Sequence, residues 1–323
     1  MRRLLLLASV ALTGGLTAVA AQQPGLRQDV EILEEGPMRI EEVADGLFVI
    51  RGPFVPCTTR GCRPGGPDDG LIHEPGDVAM RVTPAGVILV DDKYPDNLVE
   101  LLALVRSVTD QPVRYLLNSH HHGDHVSGNA NFQALGVDVI GHRNVRTNFL
   151  RTNAPGAPTL TFADEASVHL GGVEVRLRHL GRGHTGGDTV IEFPDLDIVH
   201  MGDLVIDGMP VVDYAGGGSA LAFIDTIDRL LELDFDRGIP GHGRVMTKDE
   251  VRAYRERFAE MNDRIRGLVR AGVPREAIAT LEGARAQLGL AELGWDDSVS
   301  TTASLSSLPE IYDEIAADLT AAP

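Results

Sequence analysis

Four histidines and an aspartate lie within six residues of this chain, in the segment Asn118-Ser119-His120-His121-His122-Gly123-Asp124-His125. Imidazole nitrogens and carboxylate oxygens are the donors that bind a borderline divalent metal such as zinc. The largely apolar run from Val113 to Leu117 predicts a buried strand, so the cluster follows the C-terminal end of that strand. The spacing His-x-His-x-Asp-His is too specific for a polar loop of unconnected histidines, and it indicates part of a metal site.

Three further side chains could complete that site, and each follows a predicted strand beside glycine. His184 lies in the glycine-rich turn from Gly181 to Asp188. Asp203 follows the strand Ile198–Met201, and His242 follows the short strand that ends at Pro240. Glycine allows the sharp backbone turns that such positions need. A lone histidine or aspartate here would more often be structural, but together with the cluster these three supply enough ligands for a metal centre.

The elements that position these residues begin with a β-α-β unit. The buried strand Val87–Val90 ends at Asp91. A helix carrying apolar residues at helical spacing from Leu98 to Val105 follows, with Asp96 as its expected cap. The strand Val113–Leu117 completes the unit. Ligand sites in α/β sheets tend to lie beyond such strand ends.

The second half of the chain repeats the outline of strands followed by helices. Strands are predicted at Ser167–Leu170, Val173–Leu180, Thr189–Phe193 and Ile198–Met201. Ser219 caps one helix, a capping box at Thr247–Glu250 begins another that ends near Arg270, and one or two more follow Ala277. Two mixed sheets packed face to face with helices outside, an α/β sandwich, would account for this order. No internal linker is visible, so we expect one domain over residues 22–323.

Residues 1–21 have the pattern of a secretory signal peptide, with Arg2 and Arg3, a short apolar core and Ala18-Val19-Ala20. We therefore expect a periplasmic or secreted protein, by either the general or the twin-arginine route. No later stretch is long and apolar enough to span a membrane. The net charge of −18 would repel phosphate backbones and argues against a nucleic-acid partner.

The only two cysteines, Cys57 and Cys62, lie in a segment rich in glycine and proline from Gly52 to Gly76. The segment reads as a long hairpin insertion that could flank a pocket. In an exported protein, this spacing favours a disulfide, with a free thiol pair or a metal clip as the alternatives.

The constellation resembles the metallo-β-lactamase superfamily of αββα hydrolases, through His120-x-His122-x-Asp124-His125 followed by His184, Asp203 and His242. The resemblance covers nearly all of the expected mature chain. It implies that His120, His122 and His184 hold a first metal, that Asp124, His125 and His242 hold a second, and that Asp203 bridges both. Two zinc ions per chain are expected, although iron or manganese tolerate the same ligands.

The sequence also suggests a role or an orientation for four other residues near these ligands. Asp91 matches the aspartate that ends the family's early strand, and with Ser119 and Thr185 it could orient the ligands. Ordinary hydrogen bonding at strand ends and turns is the alternative for all three. His121 lies between two ligands and should point away from the metals.

The function that the resemblance implies is hydrolysis of a small molecule with a cyclic amide or ester, above all a β-lactam. A metal-bridging hydroxide would attack the carbonyl, and Asp124 would orient it and pass a proton to the leaving group. Secreted β-lactamases of this superfamily usually lack the bridging aspartate, so Asp203 keeps a lactonase or a glyoxalase-II-like thioesterase open.

Two further classes are less well supported. An iron-dependent oxygenase or persulfide dioxygenase on the same fold needs fewer ligands than this chain retains. A non-catalytic binding protein would normally have lost some of them. The sequence does not give the oligomeric state.

Overall fold

The structure is a computed structural model that describes residues 38–56, 71–73, 76–295 and 301–321 of the 323-residue chain. The expected signal peptide at residues 1–21 and the cysteines Cys57 and Cys62 lie outside the described residues. The cleavage site and the disulfide therefore remain predictions. In the described part of the chain, no helix is both long enough and apolar enough to cross a membrane.

The first sheet has seven strands in the order β1-β2-β5-β6-β7-β8-β9. It is antiparallel from β1 to β6 and parallel from β6 to β9. Strands β3 and β4 pair with each other as a separate antiparallel ribbon within the segment expected to be a hairpin insertion. The bounds are β1 Arg39–Ala44, β2 Leu47–Arg51, β3 Phe54–Pro56, β4 Leu71–His73, β5 Val78–Thr83, β6 Gly86–Val90, β7 Val113–Leu117, β8 Asp138–His142 and β9 Leu160–Phe162.

The second sheet has six strands in the order β10-β11-β12-β13-β14-β15. All its neighbours are antiparallel except β13 and β14, which run parallel. The bounds are β10 Glu165–Leu170, β11 Val173–Arg178, β12 Val190–Phe193, β13 Ile198–His200, β14 Arg237–Ile239 and β15 Met246–Thr247.

Eight α-helices lie in the described residues: α1 Leu98–Val108, α2 Gly123–Val126, α3 Asn129–Ala134, α4 Arg143–Thr152, α5 Ala220–Glu232, α6 Lys248–Arg270, α7 Leu281–Leu288 and α8 Thr301–Ala321. The caps of two are as expected. The Ser219 hydroxyl accepts from the backbone N–H of Ala222, and Thr247 forms a capping box with Glu250.

The expected cap of α1 at Asp96 is wrong. Residues Pro95–Asn97 form a 3-10 turn, and the cap position of α1 falls on Asn97, whose side chain makes no capping bond. Proline at the first position of that turn already has the φ that a helix start needs. The chain therefore enters helical geometry at Pro95, two residues earlier than a cap at Asp96 requires.

Apolar side chains from both sheets share one core, which shows that the sheets pack face to face. Leu47, Val49 and Ile88 from the first sheet meet Val175, Ile191 and Phe193 from the second, and all six are fully buried. A second core joins the outer face of the second sheet to helices α5, α6, α7 and α8. The predicted fold class, two mixed sheets with helices outside, is confirmed.

Loops at one edge of this sandwich join the two sheets. The backbone N–H of Thr189 donates to the Ser119 carbonyl at 2.7 Å, and that of Asp77 donates to the Gly241 carbonyl at 2.7 Å. Strands β6 and β7 run parallel, and so do β13 and β14. The C-terminal ends of these strands therefore lie at the same edge. The residues that follow these ends are those that the sequence singles out.

Candidate metal centre

The seven side chains expected to bind metal converge at this edge in two adjoining groups. His120, His122, His184 and Asp203 form one group, and Asp124, His125 and His242 form the other. Within each group, one nitrogen or oxygen from every residue lies within 4.8 Å of the others. Four loops position them, one after each of the strands β7, β11, β13 and β14.

Asp203 lies between the two groups. Its Oδ2 is 3.6 Å from Nε2 of His184 in the first group and 3.6 Å from Nε2 of His242 in the second. Its Oδ1 is 3.3 Å from Nε2 of His125. A Cβ atom on Gly241 would overlap Oδ1 of Asp203, so only glycine allows the loop after β14 to approach this closely.

Ring nitrogens within the groups face each other at short range. Nδ1 of His122 is 2.9 Å from Nε2 of His184, and Nε2 of His125 is 3.2 Å from Nε2 of His242. Nε2 of His120 is buried and has no hydrogen-bond partner. An orphaned buried nitrogen is costly unless something binds it. Converging imidazole lone pairs beside carboxylates fit a divalent metal ion.

The far nitrogen of four ligand rings has an acceptor, so in the neutral form of each ring the proton lies there and the lone pair faces inward. Asp91 holds two of them. Its Oδ2 is 2.9 Å from Nδ1 of His125 and accepts from the Ser119 hydroxyl at 2.6 Å. Because that hydroxyl donates to Asp91, its oxygen can accept from Nδ1 of His120, 3.0 Å away. Asp91 and Ser119 therefore contact the ligands they were expected to orient.

The other two rings are held by the loop after Asp203. The Val211 carbonyl is 2.8 Å from Nδ1 of His184, and Oδ2 of Asp213 is 3.0 Å from Nε2 of His122. Sequence reasoning missed Asp213. It is one acidic residue in a loop before Gly216, and nothing in its spacing from the ligands marks it.

Thr185 and His121 lie near the ligands, but their side chains contact other residues. The side chain of Thr185 bonds to Asp188, and its hydroxyl accepts from the N–H of Gly187, so it secures the glycine turn rather than a ligand ring. His121 directs Nε2 towards Oδ2 of Asp213, 3.4 Å away, and belongs to neither of the two ligand groups.

The pKa values of the first group favour neutral imidazoles. Burial and the neighbouring His125 lower the pKa of His120 well below its usual range. Burial, together with the nearby His122, lowers the pKa of His184 to about 4. Both rings are therefore uncharged near neutral pH, which is the form that binds a metal.

The carboxylates between the groups are ionised. Burial alone would raise the pKa of Asp203, but the imidazoles of His125 and His242 outweigh it and lower that pKa well below the ordinary value. The same opposition lowers the pKa of Asp124. In turn, Asp124 and Asp203 overcome the effect of burial and raise the pKa of His125.

Lys93 is a buried cation beside this edge that sequence reasoning also missed. Its Nζ donates to the Gly76 carbonyl at 2.6 Å. Burial lowers its pKa to about 8, against the opposing effect of Asp77 and Asp124. This bond holds Gly76 against the His125 ring, where a Cβ atom would overlap the imidazole.

A family model described as the metallo-beta-lactamase superfamily matches residues 93–242, the stretch that carries all seven of these side chains. Residues 93–242 belong to this superfamily. Superfamily members include metal-dependent hydrolases, so the class of enzyme expected from the sequence is confirmed at the level of the family. The His/Asp groups and this membership together support binding of divalent metal.

Three curated relatives are similar to parts of the chain. The 2,4-dinitroanisole O-demethylase subunit alpha of Nocardioides sp. (strain JS1661) is 28% identical over 52% of this chain and 52% of its own length. The hydroxyacylglutathione hydrolase of Methylococcus capsulatus is 27% identical over 66% of this chain and 74% of its own. The metallo-beta-lactamase type 2 of Bacillus cereus is 25% identical over 50% and 65%. The chain thus spans only about half to three quarters of these relatives.

Solved structures share the fold. A metallo-beta-lactamase from Pontibacter korlensis has a TM-score of 0.58 and 20% identity, covering 68% of this chain and 99% of its own. The FIM-1 metallo-beta-lactamase from Pseudomonas aeruginosa, in its mono-zinc form, has a TM-score of 0.56 and 16% identity, covering 69% and 95%.

Proposed function

We propose that this chain is an exported, dinuclear zinc-dependent hydrolase of a cyclic amide or ester, with β-lactams as the first substrates to test. The observation that carries the proposal is Asp203, whose Oδ2 is 3.6 Å from a ring nitrogen of each ligand group. A carboxylate in that position suits two ions held side by side. His120, His122 and His184 would hold the first, and Asp124, His125 and His242 the second.

Bound zinc would supply Lewis acidity to polarise a carbonyl and to make water acidic enough to ionise near neutral pH. The side chains of the protein would present neutral imidazole nitrogens and ionised carboxylates to the zinc ions. Asp91, Ser119, Val211 and Asp213 fix which nitrogen of each ring faces inward. Oδ2 of Asp124, 3.2 Å from Nε2 of His242, can orient the attacking water and carry a proton to the leaving group.

A second candidate, a thioesterase or lactonase, is favoured by the same Asp203. The secreted β-lactamases that the sequence resembles usually lack an aspartate at this position, and the glyoxalase-II and lactonase branches keep it. Of the three curated relatives described above, the hydroxyacylglutathione hydrolase matches the largest share of this chain, at 66%. Both candidates use one carbonyl chemistry and differ in the leaving group.

The test is a panel of a chromogenic β-lactam, a lactone and an S-acyl glutathione, assayed with zinc-loaded protein and with His184→Ala as the matched control. We expect zinc-dependent hydrolysis of at least one substrate, lost in the control. Turnover of the β-lactam alone would favour the first candidate, and turnover of the thioester or lactone alone would favour the second. A folded, zinc-loaded protein that hydrolyses none of the three would refute the proposal.

Export and the Cys57–Cys62 disulfide belong to the same proposal and rest on the sequence pattern alone. An oxidising compartment would form the disulfide, whose small loop limits its stabilisation to about 2–3 kcal/mol. Intact-mass analysis of protein recovered from the periplasm, with thiol alkylation, tests both. We expect a chain beginning near residue 21 or 22 with no alkylated cysteine, and two alkylated cysteines would exclude the disulfide.

A further inference from the structure

The loop between Val205 and Ser219 holds two ligands of the first group but has little regular structure of its own. Its Val211 carbonyl faces Nδ1 of His184 at 2.8 Å, and its Asp213 carboxylate faces Nε2 of His122 at 3.0 Å. The backbone N–H of Asp213 also donates to the His184 carbonyl at 2.8 Å. Neither a helix nor a strand fixes residues 205–219, so other contacts must keep these acceptors in place.

Within the loop, hydrogen bonds fix both the side chain and the backbone of Asp213. Oδ1 accepts from the N–H of Gly216 at 2.8 Å, and its carbonyl accepts from the N–H of Gly218 at 2.7 Å. Oδ2 is left to His122 and His121. The carboxylate therefore moves with the loop, and the orientation of the His122 ring depends on where the loop lies.

Helix α8, almost one hundred residues further along the chain, holds this loop at both ends. The Ser304 hydroxyl donates to the Met209 carbonyl at 2.7 Å. The Glu314 carboxylate accepts from the Tyr214 hydroxyl at 2.7 Å, from the Ala220 N–H at 2.8 Å and from the Ser219 hydroxyl. These contacts lie on either side of Val211 and Asp213.

Apolar packing reinforces the polar contacts. Leu308, Ile311 and Ile315 of α8 are fully buried in the same core as Met209 and Val212 of the loop. Glu314 also stands at the first turn of α5, where a carboxylate accepts otherwise unpaired N–H groups and interacts favourably with the helix dipole. A single side chain of α8 thus joins the loop, α5 and the terminal helix.

We infer that α8 is a positioning element for the first metal site, which it controls by fixing the loop that orients His122 and His184 through Asp213 and Val211. Glu314 is the positioning residue, since its carboxylate makes most of the polar contacts. The inference rests on the proposed metal centre for its consequence, but the orientation of the rings can be measured without metal. The second group, Asp124, His125 and His242, touches this loop near its start, where the His242 carbonyl accepts from the N–H of Asp207 at 2.8 Å. That contact precedes the segment that α8 holds, so the second group should be unaffected.

The experiment compares Glu314→Gln with the control Asp313→Asn, which alters the neighbouring carboxylate of α8 that pairs with Arg275 instead of the loop. Imidazole ¹⁵N NMR of the metal-free protein reports which nitrogen of each histidine carries the proton. In the wild type and the control, we expect His122 protonated at Nε2 and His184 at Nδ1. In Glu314→Gln, both rings should show mixed tautomers, while the ¹⁵N signals of His125, which Asp91 holds, stay as in the wild type.

The consequence is measured by competition with a chromophoric zinc chelator. Asp213→Asn should weaken one of the two zinc sites by about 10- to 100-fold, as loss of a ligand's hydrogen-bond partner commonly does. Glu314→Gln acts one step further away and should weaken the same site by roughly 2- to 30-fold. The double variant should be weakened by less than the product of the two changes, because both act through one loop.

Ser304→Ala removes the hydrogen bond to the Met209 carbonyl and serves if Glu314→Gln does not fold. It should shift the same two rings, and unchanged rings in it would overturn the inference. In folded Glu314→Gln, unchanged tautomers would overturn the inference, and so would equal weakening of both zinc sites. Altered tautomers in a protein that binds no zinc in its wild-type form would instead refute the proposed centre and leave the positioning role intact.

Discussion

Four of the five histidine rings at the candidate centre are oriented by a residue that does not face the metal position. Imidazole has two nitrogens, and an acceptor on one decides which tautomer presents its lone pair to a metal. Asp91 does this directly for His125 and through Ser119 for His120, while Asp213 does it for His122. The ligands are recognisable as residue types in the sequence, but their acceptors depend on loop positions that the sequence does not reveal.

At the residue scale, Asp124→Asn should lower turnover far more than it lowers metal content at the first site. The amide can still offer an oxygen to the second metal, but it cannot accept and return a proton. General acid–base help is worth about 10²–10⁴-fold in rate. Turnover of the best panel substrate, measured beside zinc content, tests this.

His184→Ala provides the contrast, because it should lose the first metal and turnover together. The two variants should therefore be slow for different reasons, one with its first metal retained and one without it. If Asp124→Asn keeps its first metal and retains turnover within about threefold of the wild type, well short of the loss that proton transfer predicts, Asp124 has no proton role.

At the scale of elements, strong local signals were predicted correctly. Strand β6 is an apolar run that is buried throughout, three of the five residues of β7 are buried, and the caps Ser219 and Thr247 bond as expected. Strand β1 was missed because its residues, Arg-Ile-Glu-Glu-Val-Ala, are half-buried or exposed and carry little apolar pattern. It exists because it pairs with β2, which is a tertiary effect.

The sequence identified the candidate ligands more completely than the residues that surround them. The sequence singled out all seven side chains that converge at this edge, because the cluster and three glycine-flanked residues follow strand ends. Asp213 and Lys93 were not, because the positions of both depend on long-range contacts: Asp213 through α8 and Lys93 through Gly76. Glycine spacing could show that the chain turns at Gly241, but not that Asp203 would lie against it.

Gly76→Ala tests the close approach between the segment before β5 and the loop after β7. The new methyl group would overlap the His125 ring, which is fully buried and held on its other side by Asp91. The ring must move, so we expect the second zinc site to weaken by about 10- to 100-fold while the first is unchanged. Zinc titration calorimetry measures both sites.

Gly267→Ala is the matched control, since a Cβ there meets nothing within 4 Å on helix α6. It should leave both zinc affinities unchanged and raise the free energy of unfolding by about 0.5–1 kcal/mol, as alanine does in place of glycine within a helix. Two zinc sites of wild-type affinity in Gly76→Ala would show that the loop can shift without disturbing His125.

At the scale of the whole molecule, the two sheets bring ligands from both halves of the chain to one edge. His120, His122, Asp124 and His125 follow the first sheet's β7, whereas His184, Asp203 and His242 follow strands of the second. Neither half can hold a complete group alone, because the first group needs His184 and the second needs His242. Metal binding should therefore be coupled to the packing of the two sheets against each other.

The central claim is a centre for two metals that share Asp203, and metal stoichiometry tests it most directly. Zinc-reconstituted protein, freed of loose metal by gel filtration, would be analysed by plasma emission against protein concentration from amino-acid analysis. We predict about two zinc ions per chain, with about one in His184→Ala and about one in His242→Ala. A wild-type stoichiometry of one, unchanged by His242→Ala, would contradict the dinuclear centre.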